Sequence, residues 1–169
     1  ESIVSRYRLH KVSKVIVGGA QRQDSVALVL KTLRAKPSDI IMVHDGVRPF
    51  VSSEIISACI EGALQSGACI PAIAAFDTLK QTDHNGCIIK TLDRKGIWLA
   101  QTPQAFRYGL VKNAHEIARQ DGFIGTDDAS LLERLNQPVR VISGSRLNIK
   151  ITEPEDLILA EAILNCITL

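Results

Sequence analysis

The chain has 169 residues, of which 46% are hydrophobic and only 4% aromatic, with a formal net charge of +2. That length supports one domain, 1–169, with an aliphatic core. The balanced charge, with no basic stripe interleaved with aromatics, excludes a nucleic-acid face, and no run approaches the ~18 apolar residues of a membrane span. The four cysteines (Cys59, Cys69, Cys87 and Cys166) form no C-x-x-C pair and fit no zinc spacing. They read as reduced thiols in a cytoplasmic protein.

The first segment, ESIVSRYRLHK, is polar and basic and begins at Glu1 without a methionine, as the tail of a longer protein would. Val12–Val17 reads as a strand ended by Gly18-Gly19. Val26, Val29, Leu30 and Leu33 then fall at helical spacing, with Asp24 or Ser25 as the cap. Strand, glycine turn and helix make half of a βαβ unit. Gly18-Gly19 is either a plain tight turn or a backbone cradle for a ligand.

Ile40–Val43 is a continuous apolar run, as expected of a strand buried on both faces of a parallel sheet. It ends at His44-Asp45-Gly46-Val47-Arg48-Pro49. The end of such a strand is where α/β sheets bind ligands. Asp45 could hold Mg2+ through oxygen, Gly46 lets a ligand approach the backbone, and Arg48 can grip a phosphate. The alternative is an Asp-Gly turn with Arg48 on the surface. His44 is either a metal ligand or a structural hydrogen-bonder.

A helix from about Ser53 buries Ile55, Ile56, Cys59, Ile60 and Ala63 and stops at Gly67. Ala68–Ala75 is apolar, and Pro71 within it predicts an edge or a bulge. Asp77–Asp93 is polar, and Asn85-Gly86 predicts a hairpin of Thr78–Thr82 against Cys87–Thr91. Such an arm is not stable alone and is expected to lean on a second subunit, the alternative being a loose excursion.

Ile97–Thr102 returns as a strand ending in Thr102-Pro103-Gln104. Helices follow from about Tyr108 to Arg119, closed by Gly122, and over Ala129–Leu135, capped by Thr126-Asp127-Asp128. Val139–Ile142 and Asn148–Ile151 read as short strands. Thr152-Glu153-Pro154-Glu155 reads as a capping box for a last helix burying Leu157, Leu159, Ala160, Ile163 and Leu164. The alternation predicts an α/β fold with a mainly parallel sheet and an inserted hairpin.

No G-x-S-x-G elbow, H-E-x-x-H or Walker lysine motif is present. What recurs at strand ends and turns is Arg22, Ser25, Asp45, Arg48, Thr78, Arg94, Thr102, Thr126 and Lys150. Cations with one metal-holding acid suit a phosphate-rich ligand with Mg2+. A phosphate monoester is largely a dianion at neutral pH. Its attack on another phosphorus needs charge neutralisation and in-line positioning more than a general base.

Six stretches in order carry a resemblance. They are Gly18 to Val26, Val43 to Pro49, Asp77-Thr78-Leu79-Lys80, Asp93-Arg94-Lys95-Gly96 through Thr102-Pro103-Gln104, Thr126 to Ser130, and Asn148 to Asp156. Together the chain resembles the 2-C-methyl-D-erythritol 4-phosphate cytidylyltransferases of the non-mevalonate isoprenoid pathway, from about Val12 to Leu164. The resemblance implies a Rossmann-like nucleotidyltransferase sheet and a homodimer joined by the β-arm. The implied reaction is CTP plus the sugar-alcohol phosphate giving the CDP-alcohol and pyrophosphate, with Mg2+. It implies that Gly18, Gly19, Arg22 and Ser25 surround the cytosine, that Asp45 holds Mg2+ and that Gly46 lies near the ribose. Arg48, Thr102, Thr126 and Lys150 would face the sugar phosphate, and Thr78 and Arg94 would reach the neighbouring subunit's site. Arg94 and Lys150 would position the attacking phosphate.

The departure is at the start. The family's first strand and glycine-rich loop, with an arginine and a lysine over the triphosphate, amount to roughly 60–75 residues with no counterpart here. The chain by itself is therefore expected to be inactive or nearly so. In a 3-2-1-4 sheet, Val12–Val17 would be strand 3 and Ile40–Val43 strand 4, separated by unpaired edges. The alternatives are a ribitol-5-phosphate cytidylyltransferase, a longer bifunctional protein with a cyclodiphosphate synthase domain after Leu169, and a non-catalytic dimerising remnant.

Overall fold

The computed structural model describes residues 2–167. A short helix α1 (Ser2–Arg6) leads into extended chain, and then α2 (Arg22–Thr32), β1 (Ile40–Val43), α3 (Ser53–Ser66) and β2 (Ala68–Ala74) follow. The arm is β3 (Leu79–Thr82) and β4 (Ile88–Leu92). Next come β5 (Trp98–Ala100), β6 (Gln104–Arg107), α4 (Tyr108–Gln120), α5 (Asp128–Arg134), β7 (Arg140–Ser143) and α6 (Pro154–Ile167).

The main sheet is ordered β1-β6-β2-β5, with β7 on the other side of β2. Alternate residues face opposite ways along a strand, and the two clusters follow that rule. Ala68, Ile70 and Phe106 join Leu30, Val111, Ala118 and Leu131 under α2, α4 and α5. Cys69 and Ala105 join Ile55, Cys59 and Ala63 under α3.

Local signals act as their chemistry dictates. Ser52 caps α3, its hydroxyl accepting from Ile55 N–H at 3.4 Å, and Gly67 ends it at φ +89°. Asp127 caps α5, accepting from Ser130 N–H at 2.9 Å. Asp83 accepts from the N–H groups of Asn85 and Cys87, both at 2.9 Å, and tightens the hairpin turn. The arm is a separate two-stranded sheet, pairing Leu79 with Leu92.

Several expectations are overturned. Val12–Val17 is not a strand: no neighbouring strand among the described residues offers it hydrogen bonds, and Val17 is 88% exposed. The helix after it begins at Arg22, preceded by Gln21; Asp24 accepts from Gln21 N–H at 3.2 Å from inside the helix, so neither Asp24 nor Ser25 is the cap. β1 is half-buried and pairs only with β6, so it is an edge strand among the described residues.

The sheet is mixed, not mainly parallel: β6 runs antiparallel to both β1 and β2, β5 antiparallel to β2, and only β2–β7 is parallel. β6 lies between the strand expected over Ile97–Thr102 and the helix expected from Tyr108, where the sequence predicts no element. Pro71 lies in the central strand. Its C=O accepts from Gln101 N–H at 2.8 Å, so its absent N–H points to the same side, where β5 hands over to β6 and no ladder bond is lost.

Asn148–Ile151 is irregular chain, tied back by Ile151 N–H to Val47 C=O at 2.9 Å. At α6 the capping acid is Asp156, not Glu155: it accepts from Thr152 N–H at 2.8 Å and Glu153 N–H at 3.0 Å. α6 buries Ala160, with Ile163 half-buried; Leu157, Leu159 and Leu164 are exposed.

Candidate functional site

The turn after β1 is closed by Arg48 N–H donating to Asp45 C=O at 3.0 Å. It opens onto a cavity of about 250 Å³ lined by Arg22, Asp45, Arg48, Thr102, Thr126 and Lys150, with Gln101, Gln104 and Asp127 beside them. Each of the first six is a candidate from the sequence. They come from the first residue of α2, the β1 turn, the β5–β6 link, the approach to α5 and the irregular chain before α6.

Asp45 is the hub. Its carboxylate meets Lys150 Nζ at 3.2 Å, Arg22 Nε at 3.6 Å and Arg48 Nε at 3.7 Å. Burial alone would raise its pKa. The hydrogen bond and charge of Lys150, followed by the charges of Arg22 and Arg48, outweigh burial and hold the carboxyl below its ordinary value. Its backbone N–H donates to Thr102 Oγ1 at 3.0 Å, and Thr102 Oγ1 lies 2.9 Å from His44 Nδ1. His44 Nε2 faces Arg48 C=O at 3.0 Å. A carbonyl only accepts, so in the neutral ring Nε2 carries the proton and Nδ1 accepts from the Thr102 hydroxyl. His44 is thereby a structural hydrogen-bonder that locks the turn.

A second layer is not evident from the sequence. Arg22 also reaches Asp128 Oδ2 at 2.8 Å, and Asp128 Oδ1 accepts from His115 Nε2 at 2.8 Å. Burial lowers the Arg22 pKa, but Asp128 and then Asp45 outweigh it, so the net shift is upward. Gln104, 1% exposed, donates to Asp127 Oδ2 at 2.7 Å and accepts from Ala129 N–H at 3.1 Å, fixing the start of α5. From sequence Asp128 is only part of a cap, and no local pattern separates a cap acid from one that also pairs across the fold.

The other candidates lie outside this cavity. Gly18 and Gly19 pack on α2: a Cβ at Gly19 would come within 2.3 Å of Asp24 Cβ, and Gly19 N–H donates to Ser25 Oγ at 3.0 Å. Gly46 faces open space. Thr78 and Arg94 are exposed at the base of the arm, where Arg94 donates to Phe76 C=O. Among the described residues, no three His, Cys, Asp or Glu side chains gather as a metal site. No helix there is long and apolar enough to cross a membrane.

The family model described as IspD, 2-C-methyl-D-erythritol 4-phosphate cytidylyltransferase, matches residues 2–166. The chain belongs to this family. It is 52% identical over 164 residues to the 2-C-methyl-D-erythritol 4-phosphate cytidylyltransferase of Syntrophus aciditrophicus, covering 97% of this chain and 70% of that relative. The crystal structure of the Thermus thermophilus cytidylyltransferase superposes with a TM-score of 0.82 at 39% identity, covering 89% of this chain and 72% of that one. The 4-diphosphocytidyl-2C-methyl-D-erythritol synthase of Anaerococcus prevotii gives 0.85 at 33% identity, covering 97% and 74%. A Rossmann-like nucleotidyltransferase fold and nucleotidyltransferase chemistry come with that membership.

Proposed function

We propose that the protein carrying this chain transfers CMP from CTP to 2-C-methyl-D-erythritol 4-phosphate, releasing pyrophosphate. The observation that carries this is the cavity at the end of β1, where one carboxylate gathers three cationic side chains from residues 22, 48 and 150. Phosphates arriving there would draw those cations from Asp45. Arg48, Thr102, Thr126 and Lys150 face the sugar phosphate, and Lys150, with Arg94, positions it for attack. Gly18, Gly19, Arg22 and Ser25 surround the cytosine, and Gly46 lies by the ribose.

Of the two acids lining the cavity, Asp127 is taken up by Gln104 and Ser130 N–H, so Asp45 would hold Mg2+, and a single carboxylate completed by substrate phosphates is an ordinary donor set for that ion. Bound there, Mg2+ would supply charge neutralisation on the phosphates. The arm joins two copies, so that Thr78 and Arg94 serve the neighbouring site. The exposed Phe76, Ile88, Ile89 and Trp98 along and beside it support that reading.

The test measures pyrophosphate release from CTP and Mg2+ with methylerythritol phosphate and, in parallel, with ribitol 5-phosphate. Lys150→Ala should cost about 10²-fold in kcat/KM, as for other transition-state charge partners. Preference for ribitol 5-phosphate would transfer the assignment to the sister reaction. Deleting Thr78–Thr91 should convert a dimer to a monomer on sizing; a deletion variant that stays dimeric removes the arm from the interface.

A further inference from the structure

Lys150 sits in chain with no regular secondary structure, yet the site needs it at a fixed place beside Asp45. The segment from Gly144 to Ile151 is held by Gly144 N–H to Ala72 C=O at 2.8 Å at one end and by Ile151 N–H to Val47 C=O at 2.9 Å at the other. Between them the fixture is Asn148, whose exposure is 0%. Its carboxamide Nδ2 donates to Thr102 C=O at 2.9 Å and lies 3.5 Å from Gln101 Oε1. Its backbone C=O accepts from Arg48 Nη1 at 2.7 Å and from Gln101 Nε2 at 3.4 Å. Gln101 in turn clasps Ser145, donating to its C=O at 2.8 Å and accepting from its N–H at 3.2 Å.

We propose that Asn148 is a positioning residue for the sugar-alcohol phosphate side of the site, hinging Thr102, Arg48 and Lys150 on one buried carboxamide and its peptide. Thr102 is joined through its C=O, Arg48 through its guanidinium, and Lys150 by being two residues further along the same tethered chain. A hydrogen-bonded polar side chain at 0% exposure is a rigid fixture, because a broken bond leaves its partner unsatisfied. Gly18, Gly19, Arg22 and Ser25, on the cytosine side, make none of these contacts, so the effect falls chiefly on one substrate. This inference rests on the reading that Arg48 and Lys150 face the sugar phosphate.

The test uses steady-state pyrophosphate release with the protein carrying this chain and two variants, Asn148→Ala and the near-isosteric Asn148→Asp. Both remove the donor to Thr102 C=O. The expected result is a rise of roughly 10-fold in KM for methylerythritol phosphate, with a fall in kcat. KM for CTP should stay within about twofold. Combining either variant with Arg48→Ala should be less than additive, as for residues sharing one network.

Lys150→Ala is the control that separates two failures. If Lys150→Ala leaves kcat/KM for the alcohol phosphate unmoved, the reading of the site is wrong. If it lowers that kcat/KM while a folded Asn148 variant moves neither KM nor kcat, the reading stands and the positioning role is overturned. A lower melting temperature with both KM values unchanged, or loss of folding in both variants, assigns Asn148 to stability alone and overturns it as well.

Discussion

Replacing Asp128 by Asn should cost stability and loosen the site together. The side chain is 1% exposed and serves two donors, His115 Nε2 and an Arg22 guanidinium nitrogen, each at 2.8 Å. The contact with Arg22 is chiefly charge on charge, because Oδ2 lacks good hydrogen-bond geometry. An amide offers one acceptor and one donor. Turned with its oxygen to His115, the amide sets an N–H against Arg22; turned the other way, it requires the His115 proton to move to Nδ1, a buried nitrogen with no hydrogen-bond partner. Removing one member of a buried pair costs about 3–5 kcal/mol. Arg22 is 37% exposed, so solvent takes up part of its charge, and about 2–3 kcal/mol is expected.

For a chain of this size each kcal/mol moves the melting temperature by about 2–4 °C, so Asp128→Asn should melt roughly 5–10 °C lower. Circular dichroism at a fixed scan rate reads this, with urea unfolding as a check that the midpoint moves and the slope does not. Arg22, released at one end, should also raise the KM for CTP. A fall of less than about 2 °C would refute the view that the His115–Asp128–Arg22 chain is a buried, coupled unit.

Two further outcomes follow from the same geometry. The Asp45 pKa is depressed in the fold, so its ion pairs stabilise above the unfolded carboxyl's value of about 4 and are lost as pH falls through the lower, folded value. The melting-temperature gap between the parent and Asp45→Asn should therefore close as pH falls below about 4; a gap that widens on acidification contradicts the sign. At Gly62, an added Cβ would lie 2.4 Å from Cys69 Sγ and 2.9 Å from Cys69 Cβ. The strand atom cannot swing aside, so Gly62→Ala should cost about 1–3 kcal/mol by overpacking, more than the ~1 kcal/mol that alanine adds to a helix. An unchanged urea midpoint would show that α3 shifts freely on β2.

What could be read from sequence was what is settled within a few residues. Gly67, Asp127 and the Asn85-Gly86 turn act within at most four positions, so their residue types were sufficient. Asp45, Arg48, Thr102, Thr126 and Lys150 could be nominated because turn positions after apolar runs are where charge and hydroxyl groups are otherwise unexplained. Asp128, Gln104, His115 and Asn148 could not, because nothing local distinguishes a buried polar residue with a distant partner from an exposed one. The aliphatic core, the helical faces of α3 and α4, and the hairpin were likewise local properties.

A strand is different: its existence depends on a neighbour. Val12–Val17 has the composition of a strand and no partner strand among the described residues, whereas Gln104–Arg107 looks unremarkable and lies between β1 and β2. The same holds at the site. Residue types alone determined that an acid, arginines and a lysine were available to a phosphate ligand. Only the tertiary structure decided that Arg22, Arg48 and Lys150, spread over more than a hundred residues, converge on one carboxylate. Coulombic attraction acts on distance in space, and that distance is set by how β1, β6 and the chain before α6 pack.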